Sequence, residues 1–202
     1  MTRIAVLVSG GGTNLQALID SERAGKIPHG SIELVIASNE KAYALTRAEN
    51  AGIAHAAIRR KDYADQDSYD AALVEALHVH DIDMVILAGF LSILGPRFIQ
   101  SYPDRILNIH PSLIPSFCGK GFYGLKVHEA ALAKGVKVTG ATVHLVNEIP
   151  DGGRILLQKA VEVQDGDTPE ILQRRVMEQA EWILLPKAAE MLAEKLEEEK
   201  QA

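Results

Sequence analysis

Short aliphatic and β-branched runs alternate with helix-period patterns along the first half of the chain, the signature of parallel strands joined by crossover helices. Ile4 to Val8, Leu34 to Ala37, Ala56 to Ile58, Met84 to Leu87 and Ile106 to Ile109 read as strands. Several carry no polar alternation, which puts them in a sheet buried on both faces. Between them Leu15, Leu18 and Ile19 make one helical stripe closed by Gly25, and Tyr69, Leu73 and Leu77 make another that opens after Ser68. Lys137 to Val146 and Ile155 to Val163 flank a Pro150-Asp151-Gly152-Gly153 turn and are expected to pair as an antiparallel edge. Thr168 and Pro169 predict the cap and first turn of a last helix, which Pro186 should kink or break in two. The charged tail from Lys195 to Ala202 should fray. The pattern thus predicts an α/β fold: an open, mostly parallel twisted sheet with helices on both faces and an antiparallel C-terminal edge. One domain is expected over residues 1–202, with a helical tail from about 187.

Composition narrows the functional classes. The formal charge is -6 with both signs mixed along the chain, which argues against nucleic acid or a membrane surface as partner. Cys118 is the single cysteine, so no intrachain disulfide can form and no thiol cluster can hold a metal. The N-terminus lacks a signal-peptide pattern, and no apolar stretch reaches membrane-spanning length. A soluble, cytoplasmic protein is expected.

Three clusters carry candidate chemistry. The first is Leu107-Asn108-Ile109-His110-Pro111-Ser112-Leu113-Ile114-Pro115, followed later by Asp151-Gly152-Gly153. Alternation puts Asn108 and His110 on one face of an extended segment, where an amide and an imidazole can address one substrate atom. With a later carboxylate to hold the imidazole, this is equipment for acyl transfer. The second, Ser9-Gly10-Gly11-Gly12-Thr13-Asn14, stands between the first strand and a helix, where free N–H groups and the helix dipole favour an anion. Leu15 stands where the dinucleotide fingerprint needs its third glycine, no acid ends the second strand, and no Gly-Lys-Ser/Thr is present. A monophosphate fits better, with a plain capped turn as the alternative. The third, Ala88-Gly89-Phe90-Leu91-Ser92-Ile93-Leu94, follows the fourth strand, and its apolar side chains and accessible backbone suit a flat ring with a polar edge.

In this order the clusters resemble the folate-dependent phosphoribosylglycinamide formyltransferases of purine biosynthesis. The resemblance runs from about Ile4 to Pro186 and is most specific in Ser9 to Gln16, Leu87 to Phe90, Leu107 to Leu113, and Gly140-x-Thr142-Val143-His144 running on to Asp151-Gly152-Gly153. It implies a Rossmann-like formyltransferase fold. Asn108, His110 and Asp151 would be the catalytic trio, and Gly12, Thr13, Asn14, Leu15 and Glu181 would bind phosphoribosylglycinamide. Leu91, Ser92, Ile93 and Leu94, with Asn108 and Gln66, would bind 10-formyltetrahydrofolate as co-substrate. His144 is open between a place in the site and a structural strand position.

The resemblance further implies no metal, small-molecule partners only, and a monomer or weak homodimer. Departures from the family pattern fall at Ser92 and around Gln66, where arginines are usual, and at Cys118, where a proline is usual. Glu181 stands one residue further from Val176 than the family spacing. Methionyl-tRNA formyltransferase and formyltetrahydrofolate hydrolase share the same core. The first adds a C-terminal domain and the second an N-terminal one, and this chain spans neither, so length is expected to separate it from both full-length enzymes. A formyltetrahydrofolate hydrolase-like enzyme and a non-catalytic phosphate-sugar binding domain remain the competing readings.

Overall fold

The computed structural model describes residues 1–201. Seven strands form one open sheet: β1 (Thr2–Val8), β2 (Gly30–Ala37), β3 (Ala54–Ala57), β4 (Met84–Leu87), β5 (Ile106–His110), β6 (Val138–Leu145) and β7 (Ile155–Glu162). Their spatial order is β3-β2-β1-β4-β5-β6-β7; the first five run parallel, and β6 and β7 form the expected antiparallel edge. Around the sheet lie α1 (Thr13–Arg23), α2 (Tyr43–Ala51), α3 (Gln66–Val79), α4 (Pro96–Ser101), α5 (Leu125–Lys134), α6 (Pro169–Val176) and α7 (Trp182–Gln201).

Alternation along the strands divides the core in two. Ile4, Val6 and Val8 of β1, with Leu107 and Ile109 of β5, face a layer that includes α1, α5, α6 and α7. Ala5, Leu7 and Ile106 face the other layer, built on Tyr69, Leu73 and Leu77 of α3 and Phe98 of α4. Two helices cover that second face and leave its far end uncapped over β5 and β6. Asn108 and His110 share the parity of Ile106, so they rise on this thinly covered face.

Several expectations are corrected in detail. The α3 helix opens after Asp65, not after Ser68, because the Asp65 carboxylate accepts from the Ser68 N–H at 2.8 Å while the Ser68 hydroxyl faces the Asp65 N–H at 3.3 Å. β3 lies earlier than Ala56–Ile58 because Leu34 to Ala37 pair with Ala54 to Ala57 residue for residue. Pro186 does not break the last helix. The interruption is a π turn at Met177–Glu181, ahead of α7. Trp182, whose carbonyl a proline at 186 would strike, sits at ψ -8°, which swings that carbonyl out of the helical direction. The segment beyond 187 is helical as expected but not a frayed appendage. Ala188, Ala189, Leu192, Ala193 and Leu196 are buried in the core, and Lys200 pairs with Asp83 at 2.7 Å. Ala202 lies outside the described residues.

Thr168 caps α6 as the sequence indicates, accepting from the Ile171 N–H at 3.3 Å with Pro169 in the first turn. Thr168→Ala should cost about 1 kcal/mol. The check is the urea midpoint, which should fall at an unchanged denaturant slope.

Candidate active site

The antiparallel register of β5 on β6 sets Asn108 opposite His144 and His110 opposite Thr142. The β6–β7 turn then brings Asp151 over the pair. Its carboxylate stands 3.4 Å from Asn108 Nδ2, 3.6 Å from His110 Nδ1 and 3.5 Å from His144 Nε2. The three residues singled out in the sequence therefore converge, and His144 joins them: its Nε2 lies 3.1 Å from Asn108 Nδ2. His144 Nδ1 lies 2.9 Å from the Leu145 carbonyl, which can only accept, so Nδ1 carries a hydrogen. The two-residue spacing Thr142-x-His144 was the available signal for that role.

Two strained residues hold this arrangement. Phe117 and Asp151 both lie in the left-handed region, at φ 50° and 54°. The Phe117 carbonyl accepts from His110 Nε2 at 2.8 Å, and Asp151 Oδ2 accepts the Gly119 N–H at 2.8 Å, so the loop after β5 clamps the imidazole and the carboxylate together. Gly153 is demanded by packing, since a Cβ there would run into the Leu145 carbonyl. Burial raises the Asp151 carboxyl, but the hydrogen bonds from His144 and Gly119 and the nearby imidazoles outweigh it and hold it below the usual carboxylate range. Behind it, His128 on α5 is fully buried, and burial together with neighbouring His110 pushes it down to about 4, so it adds no competing charge at neutral pH.

Two cavities meet at Asn108 and Asp151. One, of about 310 Å³, runs from Gly10, Gly11 and Gly12 past His110 to Met177 and Glu181. It occupies the crevice between the ends of β1 and β4, where strand order reverses. The α1 N-terminus faces it without a side-chain cap. The Thr13 hydroxyl turns to Met177 Sδ at 3.7 Å, and the Asn14 amide donates to Glu181 Oε2 at 2.7 Å. The first N–H groups of the helix are thus open to an anion, which disfavours the plain capped turn. Leu15 contributes through its backbone alone, its side chain being fully buried in the core. The second cavity, of about 500 Å³, is lined by Phe90, Leu91, Ser92, Ile93, Leu94 and the Ile149 to Asp151 turn, and Asn108 and His144 form its floor.

The whole length of this arrangement matches known proteins. Residues 2–188 match the family model described as formyl transferase. The chain belongs to the formyl transferase family. It is 41% identical over 179 residues to the phosphoribosylglycinamide formyltransferase of Haemophilus influenzae, covering 89% of this chain and 82% of that protein. It is 46% identical over 193 residues to the human trifunctional purine biosynthetic protein adenosine-3, covering 95% of this chain but 18% of that relative. The chain therefore spans under a fifth of the trifunctional relatives. The crystal structure of glycinamide ribonucleotide transformylase 1 from Symbiobacterium toebii superposes with a TM-score of 0.90 at 44% identity, covering 96% of this chain and 89% of that one.

Within this member of the formyl transferase family, the departures from the family pattern acquire structural meaning. The π turn absorbs the additional residue before Glu181 and keeps its side chain aimed into the smaller cavity. Gln66 stands behind the larger cavity's rim. Its amide donates to Asp70 Oδ1 at 2.6 Å and the Ile93 carbonyl at 3.0 Å, and its Oε1 accepts from Arg60 at 3.3 Å. Ser92 lines the rim beside the buried Tyr69 phenol, and the Cys118 thiol, raised by burial, donates to the Pro115 carbonyl at 3.3 Å.

Burial raises the Glu181 carboxyl to about 7, against the opposing pull of the Asn14 hydrogen bond. A folded-state value above the unfolded one means the native state holds the proton more tightly. The resulting stability is full below the ordinary value of 4.5 and is lost as pH rises through about 7. Glu181→Gln removes the titration, so its urea midpoint should be flatter across that window than wild type. Parallel pH profiles would show that this carboxyl titrates normally.

Proposed function

We propose that this chain transfers the formyl group of 10-formyltetrahydrofolate to the amine of 5-phosphoribosylglycinamide, in de novo purine (IMP) biosynthesis in the cytoplasm. The observation that carries this reading is the pair of cavities sharing one wall at Asn108 and Asp151. One suits a phosphorylated sugar and the other a flat ring, so an amine from one side can meet a formyl carbon from the other.

The chemistry follows from these groups. The glycinamide nitrogen attacks the formyl carbon, and the carbonyl oxygen becomes an oxyanion. Asn108 and His110 donate hydrogen bonds to it, stabilising charge that exists only near the transition state. The attacking amine gives up a proton, directly or through water, to the imidazole once that has donated its own. As the oxyanion re-forms the carbonyl, the old C–N bond breaks and the folate nitrogen gains a proton. His110 as imidazolium donates that proton directly or through water. Asp151, held ionised, favours the protonated imidazole. His144 and Asp151 flank the Asn108 amide and so fix its orientation. The trio needs no metal for these steps.

The deciding assay is formation of formylglycinamide ribonucleotide from 10-formyltetrahydrofolate. Release of formate without that product would favour the hydrolase-like reading. His110→Ala and Asp151→Asn should each lower kcat by about a hundredfold or more with an unchanged circular dichroism spectrum. Near-wild-type turnover in His110→Ala would remove this mechanism.

The phosphate end has its own test. Gly12 is a poor site for substitution, since φ is 71° and a Cβ would meet Ala44 Cβ at 2.7 Å. Gly11 has a conventional backbone and open space around it. Gly11→Leu should therefore raise KM for the phosphorylated substrate and leave the folate KM unchanged. Equal effects on both would show that the turn is only structural.

A further inference from the structure

The smaller cavity suits a phosphorylated sugar, yet among the described residues no lysine or arginine lines it. Its wall carries the Asp151 and Glu181 carboxyls, and its one imidazole, His110, stands at the reacting end. A phosphate dianion bound there, in a chain of net charge -6, needs positive charge from outside the wall.

That charge stands behind the glycine turn. Arg47, partly buried on α2, donates from Nε to the Gly11 carbonyl at 2.8 Å and from Nη1 to Gln16 Oε1 at 2.9 Å, and its guanidinium lies 5.0 Å from the Tyr43 ring centroid. All three partners are neutral. The α2 helix packs directly on the turn: the Ala44 N–H donates to the Gly10 carbonyl at 3.2 Å, and a Cβ on Gly12 would meet Ala44 Cβ at 2.7 Å. The C=O and N–H of a trans peptide point in opposite directions. With the Gly10 and Gly11 carbonyls held toward α2, the Gly11 and Gly12 N–H groups point away from it, toward the cavity that both glycines line. Neither N–H has an acceptor among the described residues. Asn14 in the same wall is 8% exposed, and its Oδ1 has no partner either. Unmet donors beside an unmet acceptor fit a ligand that carries both an anion and hydroxyls.

We propose that Arg47 supplies the positive charge for the phosphate of the amine substrate, as a positioning residue that acts through the Gly11–Gly12 peptide and not by contact. The inference rests on reading the smaller cavity as the phosphoribosyl site. The guanidinium fixes the Gly11 carbonyl on its own side of the turn and so aims the Gly12 N–H at the anion, while its charge offsets the repulsion from Asp151. Gln16 and the Tyr43 ring hold the guanidinium in place.

The experiment measures kcat and both KM values for the wild-type protein, Arg47→Met and Arg47→Lys, each with its circular dichroism spectrum. Arg47→Met should raise KM for the phosphorylated substrate by roughly tenfold and leave kcat unchanged, the scale of one charge acting through partly exposed protein. Arg47→Lys keeps the charge without the planar fork and should recover most of that loss. The folate KM separates this role from a collapsed turn. Ser9, just ahead of the glycines, accepts the Leu91 N–H at 2.8 Å, and Leu91 lines the larger cavity, so a distorted turn would shift the folate KM as well. It should stay unchanged. Equal losses for both substrates, a wild-type KM in Arg47→Met, or an Arg47→Lys protein as impaired as Arg47→Met overturns this proposal alone. No transfer by the wild-type protein overturns the assigned reaction, and this proposal with it.

Discussion

The antiparallel pairing of β5 with β6 is the constraint on which the candidate site depends. It places Asn108 opposite His144 and fixes which face of the sheet each side chain occupies. Side chains alternate strictly along a strand, so a slip of one residue would send Asn108 and His110 into the apolar layer now filled by Leu107 and Ile109. The penalty for burying an unpaired amide and imidazole there is a substantial fraction of the net stability of a domain. The same register aims the β6–β7 turn so that Asp151 arrives above the pair. The hydrophobic pattern of two strands thus holds polar groups that make no apolar contribution of their own.

Two carboxyls at the crevice, Asp151 half-buried and Glu181 fully buried, shift in opposite directions. Asp151 receives a backbone N–H and faces imidazoles, and it is held below the usual range. Glu181 has one amide donor and, among the described residues, no ion-pair partner, and burial carries it up to about 7. One end of the crevice is built to keep charge beside the reacting centre. The other can present a carboxyl that donates or accepts, a versatile partner for sugar hydroxyls.

Much of this was legible in the sequence because it rests on short-range rules. Parallel strands announced themselves as unbroken apolar runs, and Asn108-x-His110 declared a shared face by parity. Thr168 and Pro169 read as a helix start. The rest depended on distant partners. That Glu181 meets Asn14 across the fold, or that Gln66 is tied to Ile93 rather than facing the cavity, follows from tertiary packing. Pro186 misled as a helix breaker because the backbone change that accommodates it lies at Trp182, one turn earlier. His144 was ambiguous because a strand histidine takes its meaning from the neighbouring strand.

The first residues of the chain pack against the last helix. The Met1 ammonium pairs with Glu197 of α7 at 3.3 Å, and the Thr2 hydroxyl donates to the Ala193 carbonyl at 2.9 Å. This junction sits at the start of β1, the end of the sheet opposite the crevice at its carboxyl edge. Polypeptide attached at either end would lead away from the mouth through which small molecules pass. Substitutions that loosen this junction should therefore act on stability, through β1 and the last helix, and leave the crevice mouth unchanged.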